Sequence, residues 1–299
     1  MARTMPHATT ISKPLASAPA EGTAVRPWQR VALAVAAVEL VVLFAPTVAW
    51  LFDRWTLSVW QHAHGLLIPP VVGYFIYEEL RRHAAAPRTA SAWGFVLLVP
   101  ALALHALDAG MHTQLLSAVA LVLALPGLSF LLLGTTRTRA ILFPLAFLAF
   151  ALPIPLAFTE QVHWQLRLIA TAGTSAAIPF MGIPVFVEGT TLHLPGGALQ
   201  VADACSGFST LYAAVAVACL VAYSADSWRT RAAVLLSAVP LAIAANLLRV
   251  IALVVLVVWY GSDILDTVVH PLSGMLTFAL ALPVIFWIGR PRAAGEGRP

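Results

Sequence analysis

The sequence predicts an all-α polytopic membrane protein with about eight transmembrane helices, one interfacial segment and a short β-like outer segment. Hydrophobic residues make up 60% of the 299 residues and charged residues only 10%, whereas a soluble domain carries about 25% charged residues. The mean hydropathy is +0.88. The formal net charge of +4 does not indicate nucleic-acid binding, because the basic residues are spread over short loops instead of being gathered on one face.

Eight apolar runs, each near the length that crosses a bilayer, account for the predicted spans. They lie near residues 31–52, 65–78, 92–107, 113–134, 139–158, 204–224, 232–260 and 271–289. Residues 1–30 are rich in Pro, Ala, Thr and Ser and predict a disordered cytoplasmic tail. Residues 31–290 then form a single membrane-embedded domain, and residues 291–299 form a cytoplasmic C-terminal tail.

The distribution of Lys and Arg predicts which side each loop faces. If the N-terminal tail is cytoplasmic, the 17 Lys and Arg residues fall in inner loops and tails except for Arg54, Arg167 and Arg249, as the positive-inside rule requires. The predicted inner loops hold Arg81, Arg82 and Arg88, then Arg137 and Arg139, then Arg229 and Arg231.

Two segments between the fifth and sixth spans differ from the rest. Counting residues 162–183 as a further span would place Arg229 outside, so they are predicted to lie in the outer interface or to be re-entrant, and Trp164 within an apolar stretch fits an interfacial helix. Residues 184–203, PVFVEGTTLHLPGGALQVAD, mix β-branched residues with Gly and Pro. They predict a short hairpin-like outer segment.

The stretch VADACSGFSTLY, residues 201–212, places Asp203, Cys205 and Ser206 at the outer mouth of the sixth span. The small and hydroxyl neighbours fit a nucleophilic thiol, although a packed cysteine stays an alternative. Cys219 lies within an apolar run and is typical of a packed residue. On one helix the two thiols would be about 21 Å apart, too far for a disulfide.

Three polar residues are predicted to reach the same side. Arg249 lies inside the seventh span, about 16 Å of helical rise from its outer end. A charge at that depth costs at least about 2.5 kcal/mol and needs a polar cavity or a partner. Asn246 shares its face and is predicted to help solvate the guanidinium, and His270 opens the eighth span. Structural roles stay open: Arg249 can pair with Asp203 or a carbonyl, and His270 can cap an interfacial helix.

The remaining candidates for chemistry predict neither a metal nor a cofactor. His62, His64, His163 and His193 have no acid at a metalloprotease spacing such as HExxH. Ser209 lies in the tripeptide GFS, which is similar to a motif of membrane serine proteases. The residues around Ser209 do not form a GxSxG motif.

Five segments resemble the exosortase and archaeosortase family of membrane-embedded cysteine transpeptidases. They are HAHGLLIPP, PIPLAF, GIPVFVEGTTLHLPGGALQVADACSGFSTLYA, NLLRVIALV and HPLSGMLTF, in this order, and the resemblance covers residues 60–289. It implies catalytic roles for Cys205, Arg249 and His270. Many members have ACSGLR where this chain has ACSGFS, so Ser209 departs from the commoner pattern and leaves the subfamily open.

The resemblance also implies a substrate and a location. The implied partners are exported proteins with a C-terminal sorting signal of the PEP-CTERM type, made of a short motif, one transmembrane helix and a basic tail. The implied location is the cytoplasmic (inner) membrane of a bacterium or archaeon, with the site facing outward.

The residue types fit acyl transfer on independent chemical grounds. A thiol supplies the nucleophile, a fixed cation favours the thiolate or binds the oxyanion, and an imidazole carries the proton to the departing amine. The acyl group would wait as a thioester on Cys205 until water or an amine releases it. The alternative is a non-enzymatic subunit of a polysaccharide or lipid export system, which would also bury an arginine and keep polar residues near its outer face.

Overall fold

A computed structural model describes residues 27–57, 64–202 and 206–290. Most of both predicted tails, together with Asp203 and Cys205, therefore lies outside the described residues. The chain divides into two compact units, Met1–Ala45 and Pro46–Pro299. The boundary falls at Pro46 inside the first helix, where proline removes a backbone N–H donor.

The described ranges contain eight α-helices and three short strands. The helices are α1 Pro27–Leu57, α2 His64–Arg82, α3 Trp93–Met111, α4 Leu115–Phe147, α5 Leu156–Ala177, α6 Phe208–Ser224, α7 Trp228–Tyr260 and α8 Val269–Gly289. α1 begins inside the predicted tail, with Pro27 at the first helical position, which suits a residue that has no N–H to satisfy.

Four of the described helical segments are long and apolar enough to cross a membrane. They are Trp93–Met111, Leu115–Ala151, Trp228–Tyr260 and Leu272–Gly289, and α6 is a shorter apolar helix. The mostly helical, multi-pass class is thus supported, whereas the predicted count of eight spans and their layout are not confirmed.

Arg137 and Arg139, which were predicted to lie in an inner loop, lie in the helical segment that follows a break at Gly134. The chain is helical on both sides of Gly134, whose φ of 81° and ψ of 174° break α4 at a single residue. A Cβ at Gly134 would lie 2.2 Å from the carbonyl oxygen of Thr89, so only glycine fits both the conformation and the contact. Arg137 is buried in the second half of α4.

The guanidinium of Arg137 donates hydrogen bonds to backbone carbonyl groups of the loop that follows α2. Its Nη2 donates to the carbonyl oxygens of Ala84, at 2.6 Å, and of Ala86, at 2.8 Å, and its Nε donates to Ala86 at 3.1 Å. These bonds explain why an arginine is tolerated at a buried position. Arg137 therefore holds the α2–α3 loop against the Gly134 break.

The segment predicted to be interfacial or re-entrant is largely helical. α5 covers Leu156–Ala177 and is followed by a 3-10 turn, Ile178–Met181. Among the described helices α5 is not one of the candidate spans. It contacts α6 and α7 and supplies Ala170 to the core beside the sheet, with Ile178 following in the turn.

The predicted hairpin-like segment is a three-stranded antiparallel sheet. Its strands are β1 Phe186–Glu188, β2 Thr191–Leu194 and β3 Gly197–Gln200, in the order β1-β2-β3. Its buried apolar residues pack on the second half of α7. The residues in this core are Leu192, Leu199 and Val201 from the sheet side, and Val250, Leu253, Val254 and Val257 from α7.

A close backbone contact fixes the sheet on α7. A Cβ at Gly196 would lie 2.3 Å from the carbonyl oxygen of Val257, so the β2–β3 turn needs glycine to approach the helix. The backbone N–H of Val201 donates to the carbonyl oxygen of Thr190 at 2.9 Å and extends the pairing beyond β3. The chain therefore leaves the sheet toward residues 203–205 from a position anchored on α7.

Candidate functional site

Arg249 is the buried charge at the centre of the candidate site. It lies on α7, and only 6% of it is exposed. Its Nε donates to Ser273 Oγ at 2.8 Å and its Nη2 donates to the carbonyl oxygen of His270 at 3.2 Å. Ser273 Oγ in turn donates to that same carbonyl at 2.6 Å. The guanidinium is therefore held by the first turn of α8.

A small residue in α8 lets the guanidinium approach. A Cβ at Gly274 would lie 3.3 Å from Arg249 Cζ, closer than side chains ordinarily pack. The carbonyl contact that sequence reasoning kept open as a structural role for Arg249 is thus present. It also brings Arg249 next to His270, the second residue predicted to belong to the site.

His270 lies in the first turn of α8 and is partly buried. Burial lowers the pKa of its imidazole below the ordinary value, and the positive charge of Arg249 lowers it further. The imidazole is therefore neutral near pH 7, which makes it a proton acceptor before it can act as a donor.

Asn246 connects α7 to the residue that follows Cys205. Its Nδ2 donates to the carbonyl oxygen of Ser206 at 3.1 Å, and both residues are buried. Gly207 has φ of 84°, and a Cβ there would lie 2.4 Å from Asn246 Cγ, so glycine is required next to the amide. Asn246 was predicted to solvate the guanidinium of Arg249, and its bond to Ser206 adds a link to the cysteine segment.

His163 belongs to the site, although the sequence gives no sign of this. It lies on α5, and its Nδ1 is 2.9 Å from Ser206 Oγ, 43 residues further along the chain. Its ring lies 4.5 Å from the ring of Phe208, between centroids. No spacing rule links residues so far apart, so only the fold brings His163 to the site.

The predicted site residues are thus partly assembled. Arg249 and His270 are in contact, and Asn246 and Ser206 are in contact one turn of α7 away. Cys205 and Asp203 lie outside the described residues. Cys219 packs with apolar residues of α2, α4 and α6, as predicted for a structural cysteine.

Of the histidines considered for a metal, His163 and His193 contact other residues, and His62 lies outside the described residues. His193 Nε2 lies 3.2 Å from Glu188 Oε2 across β1 and β2. Among the described residues, no group of three or more His, Cys, Asp or Glu side chains is placed to hold a metal ion.

Comparison with known proteins gives one match. A protein-family model described as transmembrane exosortase matches residues 55–287, which is most of the chain. Neither a curated protein nor a solved structure matches the chain.

The lowered pKa of His270 predicts an acid-sensitive contribution to stability. Because the unfolded chain binds a proton at His270 more readily than the folded protein, the free energy of unfolding should fall as the pH drops below about 6.5, the ordinary value for histidine. The measurement is the unfolding midpoint of detergent-solubilised protein between pH 7.5 and pH 5. His270→Gln should flatten this dependence.

The matched control is His112→Asn, at an exposed histidine whose left-handed conformation asparagine tolerates. Its curve should follow that of the wild type. Parallel curves for His270→Gln and the wild type would show that burial and Arg249 do not lower the pKa of His270.

Proposed function

Because the chain belongs to the transmembrane exosortase family, we propose that it is a membrane cysteine peptidase or transpeptidase that cleaves C-terminal sorting signals of exported proteins through a thioester on Cys205. The observation that supports this most is the contact between Arg249 and the His270 turn. A buried cation and a neutral imidazole next to each other provide two of the three groups that acyl transfer needs.

The position of Cys205 in the chain supplies the third group. Cys205 precedes α6 by three residues, and Gly207 is the N-cap of that helix. The positive end of a helix and a nearby guanidinium both favour a thiolate over a thiol. Asn246 draws the Cys205 segment toward α7, the helix that carries Arg249.

The proposed reaction begins with proton transfer from the Cys205 thiol to His270. The thiolate attacks the carbonyl carbon of the scissile peptide bond, and the carbonyl oxygen becomes an oxyanion. Two of the five N–H donors of Arg249 bond Ser273 and His270, which fixes the direction of the guanidinium as it stabilises the oxyanion. His270 then gives its proton to the departing amine, and the acyl group stays on Cys205 as a thioester. Water or an amine acceptor attacks the thioester and restores the thiol.

The proposed substrates are exported proteins with a C-terminal transmembrane helix and a basic tail, and the proposed location is the inner membrane of a bacterium or archaeon.

The contacts among the predicted inner loops support the orientation. Glu79 at the end of α2 pairs with Arg82 and accepts a bond from Tyr223 at the end of α6. Arg137 holds the loop after α2. These arginine-rich ends therefore lie together.

The candidate site lies far along α7 from that end. Arg231, at the start of α7, donates to the carbonyl oxygen of Ala225 at 3.0 Å, and Arg249 lies 18 residues later, or about 27 Å of helical rise. With the arginine-rich end in the cytoplasm, the sheet and the first turn of α8 face outward.

Reporter fusions test the orientation. Fusions at residues 110 and 265 should report the outside, and fusions at residues 135 and 228 the cytoplasm, because the arginine-rich ends stay inside. The measurement is the activity of a reporter that folds only outside the cytoplasm, paired with one that fluoresces only inside. A cytoplasmic signal at residue 265 would contradict the outward-facing site.

Substitution of the two cysteines tests the nucleophile. Cys205→Ala and Cys205→Ser should abolish processing, because a serine hydroxyl is a far poorer nucleophile without a strong adjacent base. Cys219→Ala should process normally. The measurement is the size shift of a co-expressed exported protein that carries a C-terminal apolar helix and an Arg-rich end. Equal processing by the two alanine variants would favour a non-enzymatic export subunit.

Arg249→Lys separates a catalytic arginine from a structural one. Lysine keeps the charge but cannot bond Ser273 Oγ and the His270 carbonyl in two fixed directions. The variant should accumulate near wild-type levels and lose cleavage by about 100-fold or more, as expected for one misplaced oxyanion donor.

The matched control is Arg137→Lys, which alters a buried arginine that bonds only backbone carbonyls among the described residues. It should lower the unfolding midpoint while cleavage per molecule stays normal. Full cleavage by Arg249→Lys would remove Arg249 from the catalytic groups.

A further inference from the structure

Ser206, the residue that follows Cys205, is held at three points. Only 1% of it is exposed. Its Oγ lies 2.9 Å from His163 Nδ1 and accepts a 3.3 Å bond from the backbone N–H of Phe208, and its carbonyl oxygen accepts a 3.1 Å bond from Asn246. The first contact comes from α5, the second from α6 and the third from α7. The backbone next to Cys205 is therefore fixed by three helices.

The contact between Ser206 and His163 fits a hydroxyl that donates and an imidazole nitrogen that accepts. A hydroxyl has one proton to donate and two lone pairs that accept. Because the Phe208 N–H already donates to Ser206 Oγ, the hydroxyl proton can point toward His163 Nδ1. A neutral imidazole with its proton on Nε2 accepts that bond, and the ring contact with Phe208 keeps the imidazole plane in place.

We propose that His163 is a positioning residue, which acts through Ser206 to fix the backbone that enters α6 and so to orient the adjacent Cys205. This inference rests on the proposed role of Cys205 as the nucleophile. His163 Nδ1 lies 2.9 Å from Ser206 Oγ, so the influence of His163 on Cys205 passes through Ser206. Its effect is geometric, and a nucleophile displaced by about 1 Å can react about 100-fold more slowly.

Alkylation of Cys205 tests the inference without a substrate. The chain has two cysteines, so Cys219→Ala leaves Cys205 as the single thiol of the full-length protein. The rate of its reaction with iodoacetamide is measured from pH 6 to pH 9.5. His163→Phe keeps the ring contact with Phe208 and removes the polar atom, whereas His163→Asn puts an amide near the position of Nδ1.

His163→Phe should slow alkylation at neutral pH by about tenfold and move the midpoint of the rate–pH curve upward, because a thiol that is no longer held in place loses the stabilisation that the proposed reaction assigns to the positive end of α6 and to Arg249. His163→Asn should restore most of the rate. In the double variant with Ser206→Ala, the two effects should not add, since both remove the same bond. His193→Phe, which alters a histidine that bonds Glu188, should behave as the wild type.

Two results would overturn the positioning role. A wild-type curve for His163→Phe would show that the bond to Ser206 does not place the thiol. A His163→Asn variant as slow as His163→Phe would show that residue 163 acts through its own charge or proton. If the wild type leaves every sorting-signal reporter uncleaved while alkylation still depends on His163, the proposed function fails and the positioning role stands.

Discussion

Burying the guanidinium of Arg249 costs free energy unless its N–H groups are bonded, and the first turn of α8 provides those bonds. Ser273 and the carbonyl of His270 accept from two different nitrogens, and Gly274 leaves room for the planar group. The register between α7 and α8 is set by this contact, because sliding either helix by one residue would separate both pairs. The same bonds place the backbone of His270 beside the charge, so the burial of one residue determines the surroundings of the other.

Val201 and Ser206, which flank residues 203–205, both contact α7, the helix that carries Arg249. The three-stranded sheet packs on the turns of α7 that follow Arg249, and Asn246 bonds Ser206 one turn before it. Gly207 makes that bond possible, since any larger residue would occupy the space of the Asn246 side chain. The chain between the sheet and α6 is thus attached to α7 on both sides of residues 203–205. A long helix anchored at several levels gives a reacting group a firmer place than a free loop does.

Much of this arrangement follows from the sequence, because charges and apolar runs limit where helices end. The apolar runs at 204–224, 232–260 and 271–289 fall on α6, α7 and α8 to within a few residues, although their role as spans is not confirmed, and the polar residues Arg249 and His270 stand out in such a setting. The break at Gly134 does not follow, since a glycine between apolar runs fits a loop as well as a one-residue kink. His163 could not be found either, because its contact with Ser206 exists only once α5 folds back over the start of α6.

The charge of Arg249 acts in opposite directions on the two groups that flank it in the proposed reaction. A nearby cation favours a thiolate at Cys205 and disfavours an imidazolium at His270, whose pKa burial and Arg249 both lower. Once the thiol proton has moved to His270, the thiolate would therefore be stabilised mainly by the guanidinium. A proton that is transferred to His270 during the reaction forms an imidazolium, which burial and the charge of Arg249 destabilise. Such a group is a strong acid, so the geometry that makes His270 neutral at rest also drives its proton onto the departing amine.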